Sequence, residues 1–152
     1  MKLRICKTHP NARVPEYATE GAACFDLHAA TVNDMQHIGD VVYPGHPVIC
    51  DTGLAFAVPD GYMLQVRSRS GLAFRYGIEA FHGTIDPDYT GSVRVMLTCH
   101  HLDDDAPPVR INPGDRIAQA CLVPAPRCAF EVVEQLAATE RGAGGFGSSG
   151  RA

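Results

Sequence analysis

The chain has 152 residues, 45% of them hydrophobic, and a formal charge of −4. That length suits one domain able to bury a real core. The acidic balance excludes a general nucleic-acid binder, which needs a broad basic face, though a few focused arginines could still hold a small anion. No apolar run approaches the roughly 20 residues that cross a bilayer, and Lys7 and His9 follow Met1 to Cys6 too closely for a signal-peptide hydrophobic region. The expected setting is the cytoplasm, away from membranes.

Glycine and proline punctuate the chain, and the runs between them are rich in Val, Ile, Phe and Tyr. Many short strands at regular spacing predict an all-β sandwich or barrel. The first stretch with chemical content is 22–27, where Asp26 stands among small and apolar residues. Asp26 is either a turn-capping acid at a strand end or a carboxylate facing a metal-bound water. Strands are expected over 41–43, 48–50, 54–58 and 62–66. Arg67-Ser68-Arg69-Ser70-Gly71-Leu72-Ala73 follows. It is an exposed polar turn, or a fork of guanidinium, hydroxyl and backbone donors for a phosphate. Residues 70–77 can form one or two helical turns, with Leu72, Phe74 and Tyr76 flanked by glycines; no helix of three turns is expected.

Gly83-Thr84-Ile85-Asp86-Pro87-Asp88-Tyr89-Thr90-Gly91 carries the strongest signal. Asp and Pro break the strand and Val93 begins another, so the stretch reads as a hairpin bearing two acids and a tyrosine. Asp86, fixed between Ile85 and Pro87, is placed to take a proton from water. After a strand over 93–97, His100-His101-Leu102-Asp103-Asp104-Asp105 imitates a metal cluster. It runs into Ala106-Pro107-Pro108 and reads as a solvated loop. Pro113-Gly114-Asp115 is a turn feeding a strand over 117–123, with Gln119 a potential phosphate donor. A further strand is expected over 130–133. The Gly/Ser-rich end from Arg141 reads by composition as a disordered tail. It lacks the Gly-Lys-[Ser/Thr] of a Walker loop and could instead fold over a ligand. The six cysteines show no C-x-x-C pair and sit in apolar contexts, so they read as small buried hydrophobes.

In this order, the five stretches holding Asp26, Arg69, Asp86, Gln119 and Arg141 resemble the five motifs of the trimeric dUTPase family. The resemblance runs from Ala22 to Gly150 and is specific through its last motif, Arg-Gly-x-Gly-Gly-Phe-Gly-Ser-Ser-Gly. It implies a jelly-roll-like (β-clip) all-β fold and a homotrimer with a swapped C-terminal arm. Residues 1–140 would form the catalytic domain, and 141–152 the flexible arm that closes over the active site. It also implies sites at subunit interfaces and Mg²⁺-assisted cleavage of dUTP to dUMP and pyrophosphate.

By position, Asp86 would be the general base, and Arg69, Ser70 and Gly71 would hold the phosphates, helped by Gln119. Asp26 would orient a water on Mg²⁺, the ion being held mainly by the triphosphate. Tyr89 would pack under the deoxyribose. Ala80, His82, Gly83, Thr84 and Ile85 would read uracil, mainly through backbone groups. Phe146 would stack on the base, while Arg141, Ser148 and Ser149 contact phosphates. Arg94 and Gly147 complete the implied substrate-binding set. Three departures from the family pattern stand out: Cys24 for a glycine, Ser68 for a proline, and Ala80-Phe81-His82 where an asparagine is frequent. A dCTP deaminase would need a glutamate at Met96, which is absent. A non-catalytic dUTP-binding or interaction trimer is the remaining alternative.

Overall fold

A computed structural model describes residues 1–100 and 108–145. In chain order the strands are β1 (Arg4–Lys7), β2 (Phe25–His28), β3 (Thr31–Val32), β4 (Asp40–Val42), β5 (Val48–Asp51), β6 (Leu54–Ala57) and β7 (Tyr62–Arg67). Helix α1 (Ser70–Tyr76) precedes β8 (Ile78–Ala80), β9 (Thr84–Ile85), β10 (Arg94–Cys99), β11 (Val109–Ile111) and β12 (Arg116–Pro124). Two four-stranded sheets run in the orders β3-β5-β10-β8 and β2-β12-β7-β9, with two-stranded sheets β1-β6 and β11-β4 beside them. The ladders are antiparallel. The all-β expectation holds.

Period-two alternation explains the layering. On β10, Val95, Leu97 and Cys99 turn inward while Met96 and Thr98 do not. Phe25 and Leu27 on β2, Val48 and Cys50 on β5, and Leu64 and Val66 on β7 point the same way. Together with Leu54, Phe56 and Ile117 they form the core. Leu64 is fully buried. Leu64→Ala is therefore expected to lower the unfolding free energy by about 2–5 kcal/mol. The check is the urea midpoint, and an unshifted midpoint would contradict this placement of the core.

The predicted helical turns are α1. Gly77 ends it with φ at +62° and an N–H directed to the carbonyls of Leu72 and Ala73, a left-handed cap that favours glycine. The turn before β12 also forms as expected, with Gly114 at φ +96° and the Asp115 N–H donating to Asn112 O at 3.1 Å.

Three expectations are corrected. Residues 83–91 are not a hairpin, because β9 pairs with β7 whereas β10 pairs with β5 and β8. For the same reason residues 80–85 are a crossing between sheets, the two strands on either side belonging to different ladders. Residues 130–133 have the strand pattern but form no strand; Phe130 is 94% and Val132 99% exposed, so they have no strand partner among the described residues. Finally, only Cys50 and Cys99 are buried; Cys24 and Cys121 are half-exposed, and Cys6 and Cys128 exposed. Apolar sequence neighbours are a poor guide in a strand, since adjacent residues face opposite sides. Burial pushes the Cys50 thiol up to about 12 and keeps it protonated and inert.

Candidate active site

Strand register assembles the first part of the site. Asp26 on β2 lies opposite Gln119 on β12, and Gln119 opposite Arg67 on β7. All three occupy the face turned away from the core. A register shift in β12 between Arg116 and Ala118 buries both Ile117 and Ala118. It thereby lets Arg116 and Gln119 share the outward side, which strict alternation would forbid.

Arg69, at the N-cap of α1, donates from Nε to Asp26 Oδ1 at 3.1 Å and from Nη1 to the Arg116 carbonyl at 3.1 Å. Arg116 Nη1 donates to Asp26 Oδ2 at 3.1 Å. Gln119 Nε2 donates to the Ser68 carbonyl at 2.8 Å. Ser70 and Gly71 lie exposed in the first turn of α1, where backbone N–H groups have no intrahelical acceptor.

One carboxylate thus stands among Arg67, Arg69 and Arg116, leaving cationic charge in excess. His28, two residues along β2 from Asp26, registers the field. Burial first, then the Arg13 guanidinium, lowers its pKa below the usual histidine value; Arg116 and Arg69 act in the same direction, and only Asp26 opposes them. The imidazole is therefore neutral at pH 7, and it adds no charge to the corner.

Asp86 lies elsewhere. Ile85 pairs with Leu64, so Asp86 comes beside Met63, near the start of β7. The arginine-rich corner adjoins Arg67 at its other end. Met63 to Arg67 alone spans about 13 Å at the rise of a strand. Asp86 is exposed and opens on a cleft of about 710 Å³ that includes Asp60, Tyr62, Asp88 and Arg127. The Tyr89 N–H donates to the Asp86 carbonyl at 3.2 Å. Tyr89 Oη donates to the Ser92 carbonyl at 2.9 Å, and its ring lies over Gly91. A Cβ there would come within 2.6 Å of Oη, which accounts for the glycine.

Between the two ends lie residues 80–85. Ala80 is buried, Ile85 half-buried, and His82 and Thr84 exposed. The Gly83 carbonyl accepts the Val66 N–H at 2.8 Å. Arg94 stands apart, paired with Asp34 at 3.3 Å across an exposed surface. Arg141 is exposed and donates to the Gly144 carbonyl at 2.8 Å. Phe146, Gly147, Ser148 and Ser149 lie outside the described residues, as do residues 101–105 of the His/Asp run.

Arg116 and Ser68 take roles that residue type alone does not mark. Both lie inside stretches that attracted attention, but only the β12 register shift and a pair of side-chain bonds reveal their roles.

An antiparallel β scaffold that gathers arginines, a side-chain amide and free backbone donors at one strand end has the chemistry to bind an anion. The dUTPase family model matches residues 10–150, and the chain belongs to this family. It is 43% identical to the deoxyuridine 5'-triphosphate nucleotidohydrolase of Nautilia profundicola, over 99% of this chain and 100% of that one. Its identity to the protein of the same name from Caulobacter vibrioides is 48%, over 90% of this chain and 85% of that one. Among solved structures, the dUTPase of Staphylococcus bacteriophage 80alpha with dUPNHPP superposes at a TM-score of 0.85 with 28% identity, covering 99% of each chain.

Proposed function

We propose that this chain hydrolyses dUTP to dUMP and pyrophosphate, as a homotrimer whose sites lie between chains. The observation that carries the reading is the arginine-rich corner around Asp26, with Arg69, Arg116 and Gln119 held in place by bonds to protein groups. dUTP carries a charge of about −4 at neutral pH, since terminal phosphates titrate near pH 6. A cationic corner with backbone donors beside it suits that charge.

Asp86 acts as general base. It takes a proton from water as the oxygen attacks the α-phosphorus in line, and pyrophosphate leaves. Its place at the far end of β7 from Arg69 supports a site completed by a second chain. The exposed side chains of Phe130, Val132, Val133 and Leu136 support the same assembly, because an unpaired strand pattern is satisfied by pairing with another copy.

The donor set near Asp26 is small. Both of its oxygens accept arginine bonds, and the described residues contain no group of three His, Cys, Asp or Glu side chains that could hold a metal. This fits Mg²⁺ held mainly by triphosphate oxygens and water, with Asp26 orienting one of the waters. When bound, the ion supplies charge neutralisation at the phosphate chain.

Backbone groups of residues 80–85 read the base. A main-chain N–H facing O4 of uracil would meet a donor in cytosine, and buried polar mismatch is costly. Tyr89 under the sugar leaves no room for a 2′-hydroxyl. The test is pyrophosphate release from dUTP, dCTP, dTTP and UTP. The expected kcat/KM for dUTP exceeds each of the others by about 100-fold or more. Comparable turnover of all four would contradict the pocket, and no turnover of any would favour a binding protein.

A further inference from the structure

The crossing at residues 81–83 is fastened at both ends, and the two fastenings differ in kind. At the far end the Val66 N–H donates to the Gly83 carbonyl, a main-chain bond that does not depend on the side chain at either position. At the near end the fastening is a side chain. The Ser68 hydroxyl accepts the Ala80 N–H at 3.0 Å and donates to the Ala80 carbonyl at 3.1 Å.

The topology explains why Ala80 needs this. β8 is an edge strand, with β10 as its neighbour on one side. Phe81 N–H donates to Met96 O, and Ala80 pairs with Leu97 without exchanging bonds, so the groups of Ala80 point away from β10. Ala80 is only 5% exposed, which leaves little water to satisfy them, and buried main-chain groups are rarely left unpaired. A hydroxyl can serve both because it carries one proton and two lone pairs.

Ser68 does more than cap an edge. Its own carbonyl accepts the Gln119 amide, and the next residue is Arg69. It also stands where the family pattern has proline, and Ala80 opens the Ala80-Phe81-His82 stretch that stands where an asparagine is frequent. In this chain the two departing stretches are joined by a pair of hydrogen bonds that a proline could not make.

We propose that Ser68 is a positioning residue for base recognition, its hydroxyl setting through Ala80 the backbone of residues 80–82. The inference rests on the assignment of that segment to the base. Asp86 is held separately, by the pairing of β9 with β7. Loss of the hydroxyl therefore acts on binding and selectivity rather than on the chemical step.

The experiment compares full-length wild type, Ser68→Ala and Ser68→Thr in steady-state assays with dUTP and dCTP, alongside thermal melts. Ser68→Ala is expected to raise KM for dUTP by about 10-fold and to shrink the dUTP-over-dCTP preference by a similar factor, with kcat within about 2-fold. Ser68→Thr, which keeps the hydroxyl, restores both. Should Ser68→Ala not fold, Ser68→Cys weakens the same two bonds at similar volume and carries the same expectation. A folded variant that loses only melting temperature or only kcat, with KM and preference intact, overturns the proposal. A wild type without preference for dUTP defeats instead the assignment of residues 80–85 to the base, so the two failures are distinguishable.

Discussion

Asp86→Asn is expected to lower kcat by about 10²–10⁴-fold, the usual worth of a general base, with little change in KM for dUTP. Asparagine matches the shape of aspartate but cannot accept the proton that water must lose. The substitution leaves the scaffold alone, because the position is set by main-chain features: the β9 ladder to β7 and the Tyr89 N–H on the Asp86 carbonyl. The thermal melt should therefore match wild type. Steady-state pyrophosphate release checks the result. A variant that keeps wild-type kcat would send the proton to another acceptor, and Asp60 and Asp88 on the same cleft would be the first to try.

Ending the chain at Glu140 is expected to leave the β body folded and to cut kcat/KM by about 10- to 100-fold, in line with one lost base-stacking contact and a site that no longer closes over its substrate. Within 141–145 the hydrogen bonds are local, from Arg141 to Gly144 and from Gly142 to Thr139. The catalytic loss would come from Phe146, whose ring is assigned to the base, and from Arg141, Ser148 and Ser149 at the phosphates. A circular-dichroism melt and a kcat/KM measurement on the truncated chain separate the two effects. Unchanged kcat/KM would remove the arm from the mechanism.

The strands were legible because their apolar residues alternate against a single core. Val95, Leu97 and Cys99 on β10 are the plainest case, and Gly77 marked the end of α1 as its left-handed conformation requires. Alternation says that a segment will pair but not with what. Residues 130–133 carry the signal while the described residues offer no partner, and residues 83–91 look like a hairpin while their flanking strands join different sheets. The site divides along the same line. Asp26 and Gln119 were singled out by residue type, and antiparallel pairing then placed them side by side. Under strict alternation Arg116 would face away from Gln119, and a one-residue register shift is invisible in sequence. Ser68 was noticed as a departure from a pattern; its bonds to Ala80 appear only once β8 is known to be an edge. Asp86 was legible as a carboxylate fixed between Ile85 and Pro87, and the family resemblance adds the particular role of general base.

The central claim is that one catalytic site takes Asp86 from one chain and Arg69 from another. Mixing Asp86→Asn chains with Arg69→Ala chains under conditions that exchange subunits tests it directly. Each variant alone is expected to be nearly inactive. Random assembly from equal amounts should restore about a quarter of the wild-type rate, because a site formed between chains needs two independent choices of the intact residue. A mixture that exchanges subunits and stays as inactive as its components would place both residues in a single-chain site and contradict the account.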